Sequence, residues 1–190
     1  MTTRNVTKAF RLATDADIDD GMHWYDYARD FAASLDSNVE RAAGVIAALS
    51  PQQSWPVNKR MAAEFYNGRR NVHTAPNVSK AERILQGETP LDILGGPKVR
   101  AFYTNIMGMD TTEAVTIDRH AIMVCEGKVI TGDDLRSYFG TRRNRQYVSE
   151  YVQASKILSK ETGNYMTPAQ IQAITWVWWR RNHAIAKHGD

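Results

Sequence analysis

Apolar positions recur along this chain every three to four residues, the period of a helix seen from its buried side. Trp24, Tyr27, Ala28 and Phe31 form one such stripe in a helix over residues 22–35 that Asp20 or Gly21 can start. The run VERAAGVIAALS is small and apolar enough for a buried central helix. Ser37 or Asn38 caps it, and Ser50-Pro51 stops it because proline disfavours helix at the preceding residue. Ser54 as N-cap and Pro56 in the first turn open a helix carrying Ala62, Ala63, Phe65 and Tyr66, which ends at Gly68. Short helices follow over 78–85, closed by Gly87, and over 91–94, opened by Thr89-Pro90 and closed by Gly95-Gly96. Residues 98–107 put Val99, Phe102, Tyr103 and Ile106 on one side, with Gly108 as the stop. A short piece lies at 133–139. Residues 145–162 then line up Tyr147, Val148, Tyr151, Ala154, Ile157 and Leu158 and end at Gly163. Thr167-Pro168 opens a last helix bearing Ile171, Ile174, Thr175, Trp178 and Trp179. There is no repeat, low-complexity linker or alternating strand series. The predicted class is all-α. Residues 1–20, polar and acidic at TDADIDD, read as an extended or partly disordered arm. Residues 21–190 then form one helical domain, or two helical lobes with a cleft between them.

Composition narrows this picture only a little. With 190 residues, 43% hydrophobic and 24% charged, the chain can bury a core without covalent staples. A net charge of +3 permits a polyanionic partner without requiring one. The single cysteine, Cys125, excludes an intrachain disulfide and any four-cysteine iron–sulfur or zinc site made by this chain alone. It follows Ile122-Met123-Val124 and reads as a small buried hydrophobe. His23, His73, His183 and His188 have no metal-ligand spacing, so no metal is expected. No stretch approaches about eighteen apolar residues, and the start MTTRNVTKAF has no apolar run. The expectation is a soluble, cytoplasmic protein that does not enter a membrane. The oligomeric state is not encoded in any pattern of the sequence.

The chemistry concentrates between Gly95 and Glu126. A Gly-Gly-Pro turn carries Lys98 into a helix. A loop and the β-branched run Val115-Thr116-Ile117 then deliver Asp118 beside Arg119 and His120. Backbone amides after paired glycines can approach a phosphate closely. Breaking an N-glycosidic bond builds positive charge on the sugar. A nearby carboxylate stabilises that charge or deprotonates a nucleophile, and Asp118 suits either role. Asp118 equally suits the N-cap of a helix beginning at Arg119, and one residue can do both. Lys98 is favoured as a phosphate contact, with a nucleophilic lysine as the alternative. His120 fits a structural partner of a carbonyl or carboxylate. Gln52-Gln53 by themselves are a polar turn, and Trp176, Trp178 and Trp179 are spaced as the core and rim of a helix. The basic clusters Arg69-Arg70, Arg142-Arg143-Arg145 and Arg180-Arg181 are singly solvated surface and together a footprint for a nucleic-acid backbone.

Two segments, AAGVIAALSPQQSWPVNKRMAAEFY and the Gly95–Glu126 stretch, resemble the helix–hairpin–helix DNA glycosylase superfamily, which includes endonuclease III and the adenine glycosylases. In that family a buried helix ends in a leucine–serine–glutamine-rich turn, followed by a helix containing an asparagine. Leu49-Ser50-Pro51-Gln52-Gln53 and Asn58 stand in those places. A leucine–glycine hairpin with a lysine, a helix and a hydrophobic–Asp–x–His segment follow. Leu94-Gly95-Gly96-Pro97-Lys98 and Val115-Thr116-Ile117-Asp118-Arg119-His120 match them. The resemblance implies DNA as partner and an extruded base as substrate, with Asp118 as the essential carboxylate and Lys98 as the second catalytic candidate. It implies DNA contacts from Gln52, Gln53, Asn58, Gly95, Gly96, Arg100, Arg119 and His120. Gln52 or Gln53 would be the wedge, and Trp55 or Tyr103 would stack on the base. The hairpin is shorter than the family's usual loop, so Lys98 fits the lysine position best and Arg100 is the alternative. No cofactor is implied, beyond room for a monovalent cation at the hairpin. The pattern from Gly96-Pro97-Lys98 to Phe102 is also similar to the phage α-glutamyl/putrescinyl-thymine pyrophosphorylase branch. That similarity implies an alternative, a transferase that decorates a modified pyrimidine and leaves the glycosidic bond intact. A third expectation is a non-catalytic DNA-binding or host-interaction protein that kept the fold.

Overall fold

The computed structural model describes residues 2–109 and 113–183. All regular structure among them is helical, as the periodicity predicts. The chain divides into two compact units. Residues 1–24 with 110–190 form the first, and residues 25–109 form the second.

In the first unit the polar N-terminal residues are not an arm. They fold as α1 (Thr3–Leu12) and α2 (Asp15–Met22). Val6, Ala9 and Phe10 recur at helical spacing and are buried, and the Thr2 side chain caps α1 by accepting from the Asn5 N–H. The acidic run TDADIDD is a helix start: Thr14 and Asp17 form a reciprocal capping box. Asp17, fully buried, also receives the Arg181 guanidinium at 2.8 Å. The remaining elements are α9 (Arg119–Glu126), a 3₁₀ turn (Gly132–Tyr138), α10 (Thr141–Thr162) and α11 (Pro168–Asn182). Helix α11 packs on α1, α2, α9 and α10. Its approach to α2 depends on Gly21, where an added Cβ would lie 2.4 Å from the Ile174 Cα. Tyr147, Tyr151, Leu158, Ile171 and Ile174 join Ile122–Cys125 in one core. Burial there pushes the Cys125 thiol well above its ordinary range, so the residue is a packing group and not a nucleophile.

The second unit comprises most of α3 (Trp24–Leu35), then α4 (Val39–Ala48), α5 (Trp55–Tyr66), α6 (Ala75–Leu85), α7 (Pro90–Ile93) and α8 (Pro97–Ile106). Helix α4 is buried from Ala42 to Ala48 and touches α5, α6, α7 and α8, the central place its composition predicts. Asn38 is its N-cap. Tyr27, predicted for the buried stripe of α3, is 56% exposed, while Ala28 of the same stripe is buried together with Ala32. No helix among the described residues is long and apolar enough to cross a membrane.

Candidate functional site

Asp118 ends the buried run Val115-Thr116-Ile117 and is the N-cap of α9. Its Oδ1 accepts the Ala121 N–H at 2.8 Å, as the capping argument predicts. Its Oδ2 accepts the indole N–H of Trp176 on α11 at 2.9 Å, and His120 Nδ1 lies 3.4 Å from the same oxygen. The Asp118 side chain remains 21% exposed and that of His120 12%. The carboxylate is therefore oriented from two helices and still reaches the surface. Arg119 is exposed beside it.

Trp176 is part of this site, although its spacing assigns it only to core and rim. Its ring meets Trp24 edge-on at 5.8 Å and His120 edge-on at 6.1 Å. The Arg180 guanidinium stacks 4.6 Å from its centre. Ile171, Ile174, Thr175, Trp178 and Trp179 define the apolar stripe of α11, and Trp176 lies off that stripe, a position that reads as rim and gives no hint of its partner. Off the core face its N–H could be left to water; here Asp118 accepts it.

The other predicted residues lie in the second unit. The turn between α4 and α5 projects Gln52, which is exposed and adopts a left-handed conformation (φ 63°), the only non-glycine to do so among the described residues. A long side chain held there is strained by about 1–3 kcal/mol, a cost typical of functional turns. His73 braces the turn. Its Nδ1 accepts the Thr74 amide at 2.6 Å, which leaves Nε2–H to donate to the Pro51 carbonyl at 3.0 Å. Gln53 is half-buried, with its amide 3.4 Å from His73 Nε2. Trp55 is half-buried, edge-on to Phe31 at 5.9 Å and to Phe102 at 6.3 Å, under the Lys59 ammonium.

Two expectations are corrected here. Asn58 is 2% exposed, and its amide donates to the Ile46 carbonyl at 3.1 Å; it fastens α5 to α4 instead of reaching DNA. Tyr103 is 1% exposed, and its hydroxyl donates to Glu40 at 3.1 Å, so it presents no face to a base. Burial and the Glu40 charge push its phenol above the ordinary range. Arg100 donates to the carbonyls of Leu91 and Leu94, closing the end of α7. These bonds use Nη1 alone and Arg100 is exposed, so it stands beside Lys98 as the alternative.

Leu94-Gly95-Gly96 connects α7 to α8 as a short hairpin between two helices. Gly96 (φ 76°) is the N-cap of α8 and supplies no side-chain cap, while Pro97 has no N–H to satisfy. Both glycines are exposed, and nothing lies within 4 Å of where a Gly96 Cβ would stand. Lys98 is half-buried on the first turn, and Lys80 Nζ comes within 3.9 Å of the position of a Gly95 Cβ. The hairpin thus has open backbone, an uncapped helix start and two lysines. The sequence offers no signal for Lys80, which α6 brings there from fifteen residues upstream. Among the described residues no group of three or more His, Cys, Asp or Glu could hold a metal ion.

Over residues 1–183 the chain matches a family of unknown function, DUF7178. It belongs to that family. No curated protein and no solved structure matches it. Family membership covers both units and so spans Asp118 and the hairpin alike, and it adds no reaction to what their geometry suggests.

Proposed function

We propose that the protein is a DNA-binding enzyme of helix–hairpin–helix glycosylase type that cleaves the N-glycosidic bond of an extruded, modified base. The observation that carries this reading is Asp118: a carboxylate fixed through both oxygens at a helix start, still partly exposed, beside a half-buried tryptophan. An anion held in that way can stabilise the cationic sugar of the transition state without reorganising. Support comes from the α7–Gly95-Gly96–α8 hairpin, whose open backbone and lysines suit a phosphate. The exposed, strained Gln52 suits a wedge that fills the place of the extruded base.

The experiment is incubation of the protein with DNA carrying modified pyrimidines, followed by nucleoside mass spectrometry and detection of abasic sites. Free base and abasic sugar are expected, and both are lost in Asp118→Asn. A heavier, intact nucleoside would replace this reading with the transferase one. Salt-sensitive DNA binding with no product from any substrate would leave a binding protein. Full activity in Asp118→Asn would remove Asp118 from the reaction.

A further inference from the structure

An aspartate that only caps a helix is held through one oxygen, and its carboxylate plane stays free to turn, because the terminal torsion of Asp is broad. Asp118 differs. The cap fixes Oδ1 through the Ala121 N–H at 2.8 Å, and a donor from another helix, the Trp176 indole, fixes Oδ2 at 2.9 Å. His120, the neighbour suggested by the sequence, sits further off at 3.4 Å. The indole is itself braced on three sides, by Arg180 on its face and by Trp24 and His120 at edge-on contact.

We propose that Trp176 is the positioning residue of this site: its indole N–H sets the plane of the Asp118 carboxylate, and Arg180, Trp24 and His120 hold the indole in place. The inference rests on the reading of Asp118 as the essential carboxylate. It assigns to α11 a part in the chemistry that the motifs around Asp118 do not contain. A carboxylate free to rotate would meet the developing sugar charge in the right plane only part of the time, and misplacement by about 1 Å costs on the order of a hundredfold in rate. Trp176 touches no reacting atom in this scheme. It acts on turnover through Asp118.

The test is Trp176→Phe, which keeps an aromatic ring for Arg180 and Trp24 and removes the N–H. The expected result is a fall in kcat of about 10- to 100-fold with KM, DNA affinity and thermal midpoint close to those of the parent. A kcat within twofold of the parent would overturn the proposal. So would a loss of kcat accompanied by equal losses of DNA affinity and folding, since that is what a packing residue shows. Spectroscopy keeps the question independent of activity. In ¹⁵N-labelled protein, with five tryptophans, the Trp176→Phe variant assigns the Trp176 indole N–H. That resonance is expected to be slow to exchange in the parent and to move and lose protection in Asp118→Asn. An unmoved resonance means the bond is not made, whatever the reaction proves to be. If Asp118→Asn keeps its activity while the resonance moves, the bond is made but Asp118 is not the essential carboxylate, and the part of Trp176 in turnover falls with it.

Discussion

Asp36, between α3 and α4, shows how a charged residue can be wholly structural. Arg41 grips its carboxylate with two bonds, at 2.6 and 2.8 Å, and the Tyr66 hydroxyl and the Asn38 amide add two more. The Arg41 bond does most to draw its pKa from the ordinary 3.8 to about 2. Because the folded-state value is the lower one, the stabilisation is complete above about pH 4 and is lost as the pH falls towards 2. Asp36→Asn should therefore cost about 1–3 kcal/mol at neutral pH, and urea titrations should show the gap to the parent closing over that acid range. A gap that stays constant with pH would mean that the charge is not the source. At the same scale, residue type alone is a poor guide to the site. Asn58 and Tyr103 have polar groups that suit DNA contact, but both are buried and use them on other residues of the protein, the Ile46 carbonyl and Glu40. The capping role of Asp118 is legible in the sequence, but its tryptophan partner is 58 residues away and invisible to any local pattern.

At the scale of elements the apolar period is a sound guide wherever a helix has one clear stripe. The helices α4, α5, α8 and α11 lie where the spacing puts them, with starts at Asn38, Ser54 and Thr167, while α10 ends at Gly163 as expected but starts at Thr141, a turn ahead of residue 145. It fails at α1 and α2, where charged residues hide a stripe as short as Val6, Ala9 and Phe10, and where buried Asp17 is held by a distant arginine. Gly21 gives that junction its test. On helix propensity alone, Gly21→Ala would gain up to about 1 kcal/mol. The new Cβ would stand 2.4 and 2.6 Å from the Ile174 backbone, which cannot yield without parting α2 from α11. Overpacking of this kind costs about 1–3 kcal/mol or more, so the clash wins. A fall in thermal midpoint on the order of 5 °C is expected by calorimetry. A rise would show that the two helices do not approach as closely as described.

At the scale of the molecule, the distribution of charge says more than its sum. The three basic clusters look alike in sequence, but the fold treats them differently. Arg69 pairs with Glu64 and Arg70 with Glu82, while Arg181 pairs with Asp17 and Asp20 and Arg180 lies on Trp176. Arg142, Arg143 and Arg145 open α10, are exposed, and make no ion pair among the described residues. Arg142 and Arg143 also stand in the first turn of a helix whose dipole there disfavours cations. A polyanion would relieve that cost. Arg143 and Lys128 both lie over the ring of Tyr138, which keeps two cations near one another. If the protein binds DNA as proposed, the slope of log affinity against log salt should flatten by about 0.9 for each phosphate that a variant no longer neutralises. Arg142→Ala, Arg143→Ala and Arg145→Ala together should flatten it by about 2–3, whereas Arg69→Ala with Arg70→Ala should change it by less than about 1, because those charges are already neutralised. Fluorescence anisotropy with one duplex over a range of salt measures both. Equal changes from the two clusters would mean that ion pairing in the free protein does not decide which arginines meet the backbone.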